Sequence, residues 1–203
     1  MAMTSNQRNW AVFFAAAGLT AISSAAYLSI AGINDESIRV CLRLSARIAF
    51  LVLLVIFIAR PLQQIFATPA TARLLKNQRL LGVAFAGIHT AHLALIFYRA
   101  DQVPDGNINA MDNLPGVITY LVIYLMLITS FDTPARAIGR KAWKALHKIG
   151  LYFIFGVFLQ TQLPRSLDDL AQANWWFLSI IAIAVVLRLT AFFAKNRPRA
   201  QPQ

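Results

Sequence analysis

The 203-residue chain is 58% hydrophobic and 13% charged, with a mean hydropathy of +0.58 and a net charge of +11. Soluble domains carry about 45–50% apolar and about 25% charged residues, so a soluble globular enzyme, a disulfide scaffold and a disordered chain are excluded. The basic residues flank apolar runs instead of forming one patch, which argues against a nucleic-acid partner and for membrane topology and anionic lipid.

About 20 apolar residues cross ~30 Å of hydrocarbon. Six such runs predict an all-α integral membrane protein, a six-helix bundle formed by one transmembrane domain over residues 1–203. The first span covers 10–33 and is too long for the about 7–15-residue apolar core of a signal peptide. The second covers 44–66. It holds 12 uncharged residues between Arg47 and Arg60, so one or both arginines must snorkel or face protein. The third covers 80–98 and the fourth 113–131, after a turn at Asp105-Gly106-Asn107. The fifth covers 142–163 and stops at Pro164. The sixth covers 174–194, opening on the interfacial pair Trp175 and Trp176 and carrying Arg188 near its end. Beyond it, the tail from Lys195 to Gln203 reads as disordered. A separate nucleotide-binding domain needs about 100 residues or more. Six spans leave no room for one, so flavin or nicotinamide chemistry falls to a partner.

Fourteen lysines and arginines lie on the side that holds the N-terminus, against five on the other. Positive residues stay cytoplasmic, so both the N- and C-termini are expected in the cytoplasm. The single cysteine, Cys41, forms no internal disulfide and reads as a small apolar helix residue. Arg39, Arg43 and Arg47 stripe one face at the outer end of the second helix. Two readings stand: snorkelling to lipid phosphate, or a clamp for anionic groups such as haem propionates, with Arg47 the deepest. The basic run Arg136 to Lys148 reads as topology and lipid contact, or as a dock for an acidic soluble reductase. Met111 and Met126 read as packing residues.

All three histidines, His89, His92 and His147, fall inside spans. An intramembrane histidine either hydrogen-bonds a neighbouring helix or ligates a group such as b-type haem. His89 and His92 share a helix face and cannot approach one haem from opposite sides. At ~1.5 Å per residue, His92 lies about 18 Å in from Leu80 and His147 only about 8 Å in from Ala142. The fifth-helix residue nearest the depth of His92 is Gln160, about 20 Å beyond His147.

Gln78-Arg79-Leu80-Leu81-Gly82, followed ten residues later by His92, resembles the Arg-Arg-x-Leu-Gly…His third helix of a known subunit. That subunit is the MsrQ/YedZ-like haem-binding membrane component of the periplasmic methionine sulfoxide reductase system, within the ferric-reductase-like transmembrane superfamily. Ala59-Arg60-Pro61-Leu62 is similar to its Thr-Pro-Leu. Ile128-Thr129-Ser130 and Gly139 to Lys148 resemble its Thr-Ser…Gly-x-x-Trp-x-x-Leu-His-Arg segment.

The resemblance implies heme b bound by His92 and His147, with Arg79 in the third-helix motif, and electron transfer through a bacterial inner membrane. It also implies a periplasmic oxidoreductase as acceptor and a cytoplasmic flavin reductase or quinone as donor. Gln160 stands where the family has a second histidine, and His89 is extra. The alternative reading is a haem-free relative acting as a scaffold or assembly subunit. Topology is directly testable. Reporter fusions at Lys76 and Gln203 should report cytoplasm and a fusion at Gly106 periplasm; a periplasmic signal at Gln203 would overturn the orientation.

Overall fold

Lipid offers no hydrogen bonds, so a long apolar segment must pair its amides within itself, as a helix does. The computed structural model describes residues 3–103, 113–167 and 175–195. Its elements are α1 (Ser5–Ala31), α2 (Asp35–Phe66), α3 (Pro69–Lys76), α4 (Gln78–Gln102), α5 (Leu114–Ile128), α6 (Asp132–Leu167) and α7 (Trp175–Lys195). The turn at Asp105-Gly106-Asn107, Met111 and the tail past Lys195 lie outside the described residues.

Each expected span falls on a helix, but α2 opens nine residues before the expected 44, α6 continues past the expected stop at Pro164 to Leu167, and three further features differ. α1, α2, α4, α6 and α7 are long and apolar enough to cross a membrane, whereas α5 has 15 residues. That is about 22 Å of helix, short of ~30 Å of hydrocarbon. α3 is an added eight-residue helix opened by a capping box, in which Thr68 and Thr71 each accept the other's backbone N–H. α6 consists of two helical segments that meet at Gly139: the charged stretch from Asp132, and a second segment that opens close to the expected Ala142. Gly139 interrupts α6 at φ 75°, ψ 160°, a conformation open in practice to glycine alone.

The chain forms two units. The first comprises α1, the first part of α2, α4, α5 and most of α6. Its helices approach closely where side chains are small. A Cβ on Gly87 of α4 would lie 2.5 Å from the Phe13 carbonyl oxygen and 3.2 Å from Ala16 Cβ, both on α1. A Cβ on Gly150 of α6 would meet Met126 Sδ at 2.5 Å and Val122 Cγ1 at 2.9 Å, both on α5. Small residues at such crossings drive helix association in lipid, where hydrophobic burial does not. The role expected of Met126 as packing agrees with its sulfur lying against Gly150.

The second unit holds the end of α2, then α3, the end of α6, and α7. Here the buried Pro61 sits inside α2. Lacking an N–H, it leaves the Phe57 carbonyl without its helical donor. Arg188 of α7 donates to that oxygen at 2.8 Å and lies 3.8 Å from the centre of the Phe57 ring. The Gln78 side chain donates to the neighbouring Ile56 carbonyl at 2.9 Å. Arg188, placed by the sequence near the end of the sixth span, thus bonds the backbone of α2.

The two glycine contacts differ in kind. Gly87→Ala drives a methyl into backbone, and overpacking of this sort costs about 1–3 kcal/mol. Gly150→Ala meets side chains that can turn aside. Thermal melts in detergent should therefore rank Gly87→Ala as the more damaging, and the reverse order would contradict the α1–α4 contact.

Candidate functional site

The three histidines all belong to the first unit, two on α4 and one on α6. His92 is half-buried, and its Nδ1 lies 2.8 Å from the hydroxyl of Ser45 on α2. That hydroxyl also lies 2.8 Å from the Cys41 carbonyl and 3.1 Å from the Leu42 carbonyl, both on its own helix.

His89 is one turn earlier on α4, its ring centroid 6.0 Å from that of His92. Only 7% of it is exposed. Its ring sits among Phe85 at 4.3 Å, Phe158 of α6 at 5.8 Å and Tyr120 of α5 at 5.9 Å. Its buried Nδ1 makes no hydrogen bond of ordinary distance and angle among the described residues, and neither does the buried Tyr120 hydroxyl. A buried polar group left unsatisfied costs about 1–3 kcal/mol.

His147 is placed differently. Its Nε2 is 3.0 Å from Thr129 Oγ1, at the end of α5. Its ring stacks on Trp143 at 4.2 Å, and Trp143 Nε1 donates to the Thr129 carbonyl at 2.8 Å. The Thr129 hydroxyl donates to the Leu125 carbonyl at 2.7 Å, so His147 supplies the proton on Nε2. The Thr-Ser…Trp…His segment is therefore a hydrogen-bonded joint between α5 and α6. Nearby, Arg79 donates through both terminal nitrogens to Asp132 Oδ1 at 3.0 Å. Buried Asn9 of α1 donates to the Ser130 carbonyl at 3.0 Å.

The remaining candidates stand apart from the histidines. Arg39 pairs with Asp35 at 2.7 Å and Arg43 with Glu36 at 2.5 Å. Asp35 also binds Arg99 of α4 at 2.7 Å. Arg47 is exposed and makes no ion pair or hydrogen bond among the described residues. It is two residues from Ser45, about 200° around the helix, so it does not share the face that meets His92. Gln160 is an exposed residue of α6 in the second unit.

Among the described residues, no three His, Cys, Asp or Glu side chains converge. Axial haem ligation needs a positioned imidazole with a bare nitrogen. His92 meets that need, because its Nδ1 is held by Ser45 and Nε2 is the nitrogen left. His147 as placed has its Nε2 on Thr129, which leaves Nδ1 as its bare nitrogen. The donor set thus suits attachment through Nε2 of His92, while His147 offers no free Nε2.

The family model of the ferric reductase-like transmembrane component matches residues 45–159, more than half of the chain. The chain belongs to the ferric reductase-like transmembrane family. Neither the curated proteins nor the solved structures give a significant match. The family segment opens at Ser45 and contains all three histidines, Arg79, Tyr120, Thr129 and Trp143, while Gln160 falls one residue past it.

Sequence reasoning named the histidines and passed over Ser45 and Tyr120. Serine in an apolar helix commonly bonds its own backbone, so Ser45 carries no distinguishing mark until α2 and α4 are set side by side. Tyr120 and Tyr124, four apart, mark one face of α5, and Tyr124 does lie 3.2 Å from Thr90 on α4.

The joint at Thr129 can be measured. Interhelical side-chain hydrogen bonds in membranes are worth about 0.6 kcal/mol on average, up to about 1.7. A double-mutant cycle of Thr129→Val and His147→Ala, read by unfolding in mixed micelles, should give a coupling in that range. A coupling near zero would remove the joint as the function of His147 in this fold.

Proposed function

We propose that the protein is a b-type cytochrome-like membrane subunit that relays electrons across a bacterial inner membrane to a periplasmic acceptor. Membership of the ferric reductase-like transmembrane family supports a membrane electron-transfer role. The finer reading, a subunit of the methionine sulfoxide reductase type, rests on the third-helix and Trp…His motifs. The observation that carries haem binding is His92, an intramembrane imidazole whose Nδ1 is held by Ser45 at 2.8 Å. Bound haem would supply reversible one-electron chemistry at its iron. The protein's share is to ligate through His92, to hold that ring in one orientation, to keep α5 and α6 together through Thr129, Trp143 and His147, and to tie α4 to α6 through Arg79 and Asp132. A cytoplasmic flavin reductase or a quinone would be the donor, and a periplasmic oxidoreductase the acceptor.

A second reading, a haem-free scaffold subunit, is favoured by one observation: His147 is engaged with Thr129 and Trp143. Under the cytochrome reading, His92 would hold the haem, and His147 would have to leave Thr129 before its Nε2 could contribute.

Protein purified in detergent with added haem should give a b-type difference spectrum and a positive pyridine haemochromogen assay. His92→Ala should abolish the reduced absorbance, and His89→Ala should keep most of it. Colourless wild-type protein would favour the scaffold reading. Loss of haem from His89→Ala alone would shift the ligand to the extra histidine.

A further inference from the structure

The hydroxyl of Ser45 has one hydrogen and three neighbours that want a share in its bonding. Two are carbonyl oxygens of its own helix, Cys41 at 2.8 Å and Leu42 at 3.1 Å. The third is Nδ1 of His92 at 2.8 Å. A carbonyl can only accept, so the hydroxyl hydrogen goes to the carbonyl side. The oxygen then presents a lone pair to His92, and a close contact between a lone pair and an imidazole nitrogen is favourable only if that nitrogen carries the proton. A neutral imidazole has one N–H. With it on Nδ1, Nε2 is bare.

We propose that Ser45 is a positioning residue for His92, fixing through the Cys41 carbonyl–Ser45–Nδ1 chain the tautomer that presents Nε2 as the ligand nitrogen. The inference rests on the reading of His92 as the haem ligand. Ser45 is 98% buried, with 2% of its surface exposed, so water does not compete for the chain. The partner that fixes an imidazole's tautomer also fixes its ring plane. His89 has no such anchor: its Nδ1 is unpartnered among the described residues. That contrast separates two histidines on one helix face, one turn apart, into an anchored ring and an unanchored one.

The test uses the full-length protein in detergent, with Ser45→Ala, Ser45→Cys, Ser45→Thr and His92→Ala. On haem-free protein, ¹⁵N shifts of labelled histidine report the tautomer. Wild type and Ser45→Thr should show His92 protonated at Nδ1, and Ser45→Ala should move it toward protonation at Nε2. Titration with haemin should show Ser45→Ala weakened about 10–100-fold, the usual cost of removing such an outer partner. Ser45→Thr should stay close to wild type. Ser45→Cys should fall between and carries the test if Ser45→Ala does not fold. Wild-type His92 protonated at Nε2, or Ser45→Ala with unchanged tautomer and affinity, overturns the proposal. His92→Ala retaining full haemin affinity overturns the ligand assignment and the proposal with it. The tautomer shifts tell that failure apart from a failure of Ser45 alone.

Discussion

A polar group in hydrocarbon either finds its partner inside the protein or goes without, and no water relieves the loss. Much of what distinguishes this fold from a generic apolar bundle is an answer to that constraint. Thr20, Ser24, Ser45, Thr90, Thr119, Thr129, Ser130 and Thr190 each give the hydroxyl hydrogen to a carbonyl one turn back on the same helix. Such back-bonding uses up the hydrogen and leaves the oxygen lone pairs. Ser45 and Thr129 turn those lone pairs to histidines on other helices. The backbone thereby orients imidazole rings that it never touches.

The three histidines show how one residue type divides its roles under this rule. His147 is tied into a corner with Trp143 and Thr129, His92 is anchored at one nitrogen, and His89 is buried among aromatic rings without an anchor. Under the proposed function a redox group would need a fixed ligand and a rigid frame around it. The α5–α6 corner and the Gly87 crossing would then be the frame, and His92 the anchored ring.

Helix positions were readable from hydropathy because each apolar run is long and its ends are charged. Boundaries were less so. Asp132 to Ile138 is too polar to count as a span, yet it is helical, and Gly139 at φ 75° turns the chain from it into the next helix. Histidines were legible as candidates from their rarity and their place in the spans. Their partners were not, since Ser45 and His92 are 47 residues apart and Thr129 and His147 belong to different helices. The same holds for Arg188, read from the sequence as a basic residue near the end of the sixth span, whose partner, the Phe57 carbonyl freed by Pro61, lies 131 residues away.

The Phe57–Arg188 contact has a consequence in time. Its two residues are 131 positions apart. At about 5–20 residues per second of synthesis, the carbonyl opened by Pro61 waits on the order of ten seconds for its donor. α2 therefore enters the bilayer before the side chain that bonds this carbonyl has been made. Insertion of α7 is the step that brings Arg188 to this carbonyl and completes the contact within the second unit.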